Sequence, residues 1–121
     1  QGLPGFSTKG RIYLEAAKAY AHSGNFKKSH KLLGMIESDR FYKEGVIFVL
    51  TLETRKDKQN VGVLAKKIFN HGGKIIDNKF IGKISHIQSL SGDIESSFES
   101  IKKMRPGVDF TQTLIDIAQD L

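Results

Sequence analysis

Tyr42-Lys-Glu-Gly-Val-Ile-Phe-Val-Leu-Thr-Leu52 is the stretch on which the fold turns. From Val46 onward it is an unbroken apolar run, rich in β-branched residues and of strand length, the pattern of a central strand covered on both faces. The charged segment from Glu53 to Lys58 ends it. Val61, Leu64, Ala65, Ile68 and Phe69 then recur at three- and four-residue spacing, the stripe of an amphipathic helix. Gly72-Gly73 follows as a left-handed helix stop, with His71 where a cationic ring complements the helix dipole. Lys74-Ile-Ile76 and Ile84-Ser-His-Ile87 read as two further short strands.

Working outward, residues 88–93 form a polar turn, and residues 94–104 carry Phe98, Ile101 and Met104 at helical spacing. Arg105-Pro106-Gly107 stops that helix. Val108-Asp-Phe110 reads as a last short strand, and Thr111 as the cap of a final helix with Leu114, Ile115 and Ala118 inward. Upstream, residues 1–10 are Gly/Pro-rich and read as a frayed lead-in. Ser7 or Thr8 would cap a first helix facing inward through Ile12, Ala16, Ala19 and Tyr20. Ser23-Gly24-Asn25 breaks it. A second helix over 26–37 sets Phe26, Leu33 and Ile36 on one side, with Lys27, Lys28 and Lys31 mostly opposite. Ser38-Asp39-Arg40 is the hinge. The expected fold is therefore α/β: a two-helix extension over residues 1–40, then a four-stranded parallel sheet flanked by helices over 41–121.

The chain of 121 residues has room for one domain with a core, or a small domain with an appendage. A chain opening on Gln1 reads as a piece of a larger protein. With no cysteine, disulfides, thiolate catalysis and cysteine-based zinc sites are excluded, and His22, His30, His71 and His86 show no metal-ligand spacing. No apolar run approaches the roughly 18 residues of a membrane span. Seven Lys/Arg against three Asp/Glu give residues 1–41 a balance of +4, and twelve against ten give the remainder +2. Such a surface attracts phosphate or carboxylate, whether in nucleic acid, phosphorylated protein or acidic peptide.

The strand–helix–Gly-Gly–strand–Ser-His-Ile order resembles the BRCT module, a phosphopeptide-reading domain of nuclear proteins. Thr51 ends the first strand, where the family usually has Ser or Thr followed by Gly. Gly72-Gly73 matches the turn after its first helix, Ser85-His-Ile87 its third strand, and Val108-Asp-Phe-Thr-Gln-Thr-Leu114-Ile its fourth strand entering the last helix. Leu114 stands where the family carries Trp, Leu52 replaces the Gly, and Phe98 falls where a phosphate-binding Lys opens the second helix. With the helical lead-in, the arrangement resembles the helical-BRCT segments of silent-information-regulator scaffold proteins. The resemblance implies a non-enzymatic nuclear scaffold in transcriptional silencing, heterochromatin and telomeric chromatin, without cofactor. Its partners would be phosphorylated or acidic peptides of perinuclear anchors or a retrotransposon integrase, with no direct nucleic-acid binding and no membrane contact. Thr51, Arg55, Lys56, Lys58, Lys102 and Lys103 are its candidate phosphate ligands. Arg11 and Lys18, backed by Tyr13 or Tyr20, would line a second wall of the peptide groove.

A rival reading rests on Tyr13-Leu-Glu-Ala-Ala-Lys-Ala-Tyr-Ala-His-Ser-Gly-Asn-Phe26 and Leu33, which resemble a pentatricopeptide or tetratricopeptide unit. Ser91-Gly-Asp-Ile94 echoes Ser23-Gly-Asn-Phe26 at a spacing of 68, about two such repeats. This resemblance implies a basic α-solenoid fragment of an organellar protein binding single-stranded RNA. Against it stand the β-branched run at 46–52 and apolar Leu14 and Ile47 at base-reading positions. For an enzyme, no paired carboxylates, nucleophile set or nucleotide loop can be identified.

Overall fold

The run from Val46 to Leu52 is helical, and with it the expected parallel sheet falls. In a computed structural model that describes residues 4–69 and 77–121, every regular element is a helix: α1 (Pro4–His22), α2 (Phe26–Leu33), α3 (Asp39–Lys56), α4 (Lys58–Phe69), α5 (Asn78–Leu90), α6 (Ile94–Ile101) and α7 (Val108–Asp120). No strand occurs among the described residues. The segment 84–87 lies inside α5, and 108–110 is the first turn of α7. Gly72-Gly73, His71 and the strand expected at 74–76 lie outside the described residues.

The physical reason is burial on a helical stripe. Tyr42, Val46, Val49, Leu50 and Glu53 are buried, at intervals of three and four residues, while Thr51 is exposed. Once tertiary contacts cover that stripe, the modest helix penalty of β-branched residues is overridden. The Thr51 and Thr54 hydroxyls help by donating to Ile47 O (2.7 Å) and Leu50 O (2.9 Å), so neither competes for the backbone. Burial of Tyr42 also pushes its phenol up to about 12 by desolvation.

The chain divides into a first unit, residues 1–56, and a second, 57–121. In the first, contacts from Arg11 to Phe41, Lys18 to Phe48 and His22 to Lys56 advance together along both helices, so α1 and α3 run parallel. Helix α2 packs on both. The inward face of α1 is Leu14, Ala17 and Ala21, displaced from the expected Ile12, Ala16, Ala19 and Tyr20; Ile12 is 60% exposed. Helix α1 also begins at Pro4, inside the expected lead-in. Pro suits that position, because its missing N–H would have had no partner there. Ser38 caps α3, its Oγ accepting from Phe41 N at 3.3 Å.

In the second unit α5 packs on α6 and α7, and α4 touches α5. The α4 stripe Val61, Leu64, Ala65 and Ile68 is buried as its spacing predicts. Helix α7 turns Thr113 and Ile117 inward, whereas Leu114, Ile115 and Ala118, expected inside, are exposed.

The echo at a spacing of 68 is structural. Ser29 Oγ donates to Ala17 O at 2.8 Å in the first unit, and Ser97 Oγ donates to Ser85 O at 2.8 Å in the second. Both serines are wholly buried. Gly24 (φ +86°) and Gly92 (φ +94°) end α1 and α5 in the left-handed region that glycine tolerates best. Each turn closes with the same two bonds, Gly24 N to Ala21 O and Asn25 N to Tyr20 O, against Gly92 N to Ser89 O and Asp93 N to Gln88 O. This is the paired bonding of a Schellman helix stop. Asn25 then caps α2 through Lys28 N, and Asp93 caps α6 through Ser96 N.

The units differ where the first buries a histidine–glutamate hydrogen bond. His30 Nε2 donates to Glu53 Oε2 at 2.6 Å, with the residues 6% and 0% exposed. The positions 68 residues on are Phe98 and Leu121, both exposed.

Two predictions follow from these features of the repeat. Asn25→Ala and Asp93→Ala should each cost about 1 kcal/mol near neutrality, the worth of a cap. The Asp93 carboxyl is held below its usual range by its hydrogen bonds to Ser96. Its contribution is therefore complete above the unfolded value of about 3.9 and is lost as pH falls through the lower folded one. Unfolding melts should show the Asp93→Ala deficit closing in acid while the Asn25→Ala deficit persists. Glu53→Ala should cost about 1–3 kcal/mol by leaving the buried His30 ring nitrogen without its partner. Combining His30→Phe with Glu53→Leu, the pair that the second unit carries, should recover most of that loss in urea titrations.

Candidate functional site

Along the seam between α1 and α3, cations stand over rings. The Arg11 guanidinium lies 5.2 Å from the centre of the Phe41 ring, and the Lys18 ammonium 5.2 Å from that of Phe48. His22 meets Phe48 edge-on at 5.2 Å. Arg11 and Lys18 are seven residues apart on α1, as are Phe41 and Phe48 on α3. Seven residues make two helical turns, about 10.5 Å, so each pair shares a face. Phe41 and Phe48 are half-buried.

The charge of this surface is predominantly positive. Residues 1–56 carry ten Lys/Arg against five Asp/Glu. Glu53 is buried against His30, and Lys18 holds Glu44 at 2.9 Å and Glu15 at 3.8 Å. Beyond Phe48, Lys56 Nζ donates to His22 O at 2.8 Å, tying the ends of α1 and α3 together. Arg55 is exposed in the last turn of α3.

At the positions 68 residues later, Phe41 is answered by Asp109, Phe48 by Asp116 and Lys18 by His86. His86 pairs with Asp120 there, and Gln112 donates to Asp116 at 2.8 Å. The second unit therefore offers carboxylates where the first offers aromatic faces, and only the first can stack a planar ligand in this way.

The residues expected to bind phosphate do not form one pocket around Thr51. Thr51 sits mid-helix with its hydroxyl given to Ile47 O, so the strand-end geometry that the pocket needs is missing. Arg11 and Tyr13 lie toward the start of the α1–α3 pair, and Thr51, Arg55 and Lys56 toward its end. Phe41 and Thr51 are ten residues apart on α3, roughly 15 Å along its axis. Tyr13 is half-buried in a cleft of about 630 Å³ with Lys9, Met35 and Glu37. Lys58, Lys102 and Lys103 belong to the second unit; Lys58 opens α4, Lys102 pairs with Glu99 at 3.1 Å, and Lys103 edges a groove beside α6. Leu14, a base-reading position in the rival reading, is a core residue, 1% exposed.

Phe41, Phe48, His22 and Glu44 escape the sequence reading. Their signal is the seven-residue spacing shared by both helices, visible only once residues 39–56 are taken as helical. No family model, curated protein or solved structure matches the chain. Among the described residues no helix is long and apolar enough to cross a membrane, and no cluster of His, Asp or Glu could hold a metal ion.

Proposed function

We propose that this chain is a non-enzymatic helical-repeat module that binds single-stranded RNA along the α1–α3 seam of its first unit. The observation that carries this reading is the doubled cation–aromatic pairing, Arg11 with Phe41 and Lys18 with Phe48, at a common seven-residue spacing. Single-stranded nucleic acid is held by two kinds of contact: bases stack on exposed ring faces, and cations track the phosphates. Both are on this seam. A base stacked on Phe48 would take the place of the Lys18 ammonium over the ring, with Lys18 turning from Glu44 and Glu15 toward the flanking phosphate.

The organisation supports the same reading. Helices joined by identical turns at an offset of 68 form a repeat, the organisation expected of a helical-repeat module. The phosphopeptide pocket rested on a sheet that the described residues lack.

The test is fluorescence anisotropy with a labelled single-stranded oligouridylate and the same strand in duplex. Phe41→Leu and Phe48→Leu keep the apolar body but remove the ring, and each should weaken single-strand binding by about 1–3 kcal/mol. Arg11→Gln should flatten the salt dependence by about 0.7 in the logarithmic slope, one phosphate contact. Equal affinity for single strand and duplex, or leucine variants that bind as tightly as the parent, would overturn the assignment.

A further inference from the structure

Helix α7 divides its charge and its apolar surface between opposite sides. Thr113 and Ile117 are buried. Asp120 pairs with His86 of α5, and Asp116 accepts from Gln112 at 2.8 Å. Asp109, Asp116 and Asp120, spaced by seven and four residues, share that side of the helix. The other side is a stripe of Val108, Thr111, Leu114, Ile115, Ala118 and Leu121, every member of it exposed. Val108 is 85% exposed, Leu114 38%, Ile115 44% and Leu121 79%. Large apolar residues exposed in one contiguous row mark an interaction surface.

The repeat shows what is particular to this helix. At the positions 68 residues earlier, Leu114, Ala118 and Leu121 are Val46, Leu50 and Glu53, each 0% exposed. Val108 and Thr111 are Arg40 and Lys43 there. The first unit therefore covers the later half of the stripe and carries charge on the earlier half. In the second unit the stripe is uncharged from one end of the helix to the other.

The stripe reads the same from either end. Its members are separated by steps of three, three, one, three and three residues, and their sizes run large, small, large, large, small, large. A row with that symmetry is complementary to itself when two copies lie antiparallel, which is the isologous contact of a two-fold dimer. We propose that α7 pairs antiparallel with α7 of a second copy of this chain. Val108 then meets Leu121 of the second copy, Thr111 meets Ala118, and Leu114 meets Ile115 across the two-fold axis. The alternating steps of three and four along 108, 111, 115 and 118 are those by which two helices interlock at a seam. Thr111 and Ala118 let the helices approach, and the larger residues fill the space between. The three carboxylates lie away from the seam, so no like charges oppose one another across it. With 13 residues, α7 is about 20 Å long. A contact of that length falls below the roughly 1,200 Å² of standard interfaces, so the dimer is weak and depends on concentration. Each copy carries a net charge of +6, and salt should strengthen the dimer by screening that repulsion.

The proposal does not depend on RNA binding by the first unit, and its test contains no nucleic acid. Sedimentation equilibrium of the full chain over a range of concentrations should show a monomer–dimer equilibrium that tightens as salt is raised. Leu114→Glu and Ile115→Lys alter exposed side chains, so circular dichroism should show the fold intact in both. Each alone should weaken the dimer by about tenfold or more, because it carries an unpaired charge into the seam. Mixing the Leu114→Glu chain with the Ile115→Lys chain should restore association, since the antiparallel register sets the new carboxylate against the new ammonium. A chain that stays monomeric at every concentration leaves the stripe to a different partner and overturns the proposal. So does a dimer indifferent to both substitutions, or a mixture that associates no better than either variant alone.

Discussion

A buried serine hydroxyl bonded to a carbonyl of the preceding helix sets the spacing on which each unit is built. Ser29 to Ala17 O and Ser97 to Ser85 O are matching ties at the α1–α2 and α5–α6 crossings, and Ser100 Oγ to the Gln88 side-chain carbonyl adds a second at the latter. A small hydroxylated residue facing Ala or Ser lets two backbones approach closely, and the bond holds them there. The turn must then bring the second helix back at that distance within three residues, which the left-handed glycine and the side-chain cap accomplish together. Helices of eight residues, such as α2 and α6, cannot persist alone in water, so their existence depends on this docking. Everything placed on α1, α3, α5 and α7 inherits its position from those crossings.

Part of this was legible in the chain. Ser23-Gly-Asn-Phe26 and Ser91-Gly-Asp-Ile94 announce the repeat and its turns, and the stripes of α2 and α4 follow from spacing alone. Residues 46–52 mislead because a helix buried on a wide stripe and a strand buried on both faces write the same short apolar run. The signal that separates them extends beyond the run: Tyr42 four residues before Val46, and Glu53 three after Leu50, continue the helical period. Glu53 is masked as a loop residue by its charge, because its buried partner His30 is 23 residues away and invisible to any local window. The exposure of Leu114 and Ile115 is equally non-local, since it depends on which helices lie over α7.

The two units have kept their turns and diverged on their surfaces. The first holds a balance of +5 and sets rings beneath its cations; the second, at +1, sets carboxylates at the corresponding places. The exchanges of Tyr20 for Gln88 and of Leu32 for Ser100 remove apolar volume from one side of the second unit, and the exchanges of His30 for Phe98 and of Glu53 for Leu121 add apolar surface to another. The two units share one frame of turns and buried serine bonds and carry opposite chemistries on it.

The crossing of the outer helices was solved in opposite senses. In the first unit Leu14 on α1 presses on Gly45 of α3, where an added Cβ would come within 3.0 Å of Leu14 Cδ1 and closer still to Leu33. In the second, at the same two positions, Gly82 of α5 makes room for Thr113 of α7. Each pair is one large residue against none, and the hand is reversed. A chain of near-identical repeats risks pairing the wrong helices while it folds. Here α1 set against α7 would bring Leu14 onto Thr113, and α5 set against α3 would leave Gly82 facing Gly45 across a void. The two crossings are therefore not interchangeable: the helix that fits one unit finds a clash or a void in the other.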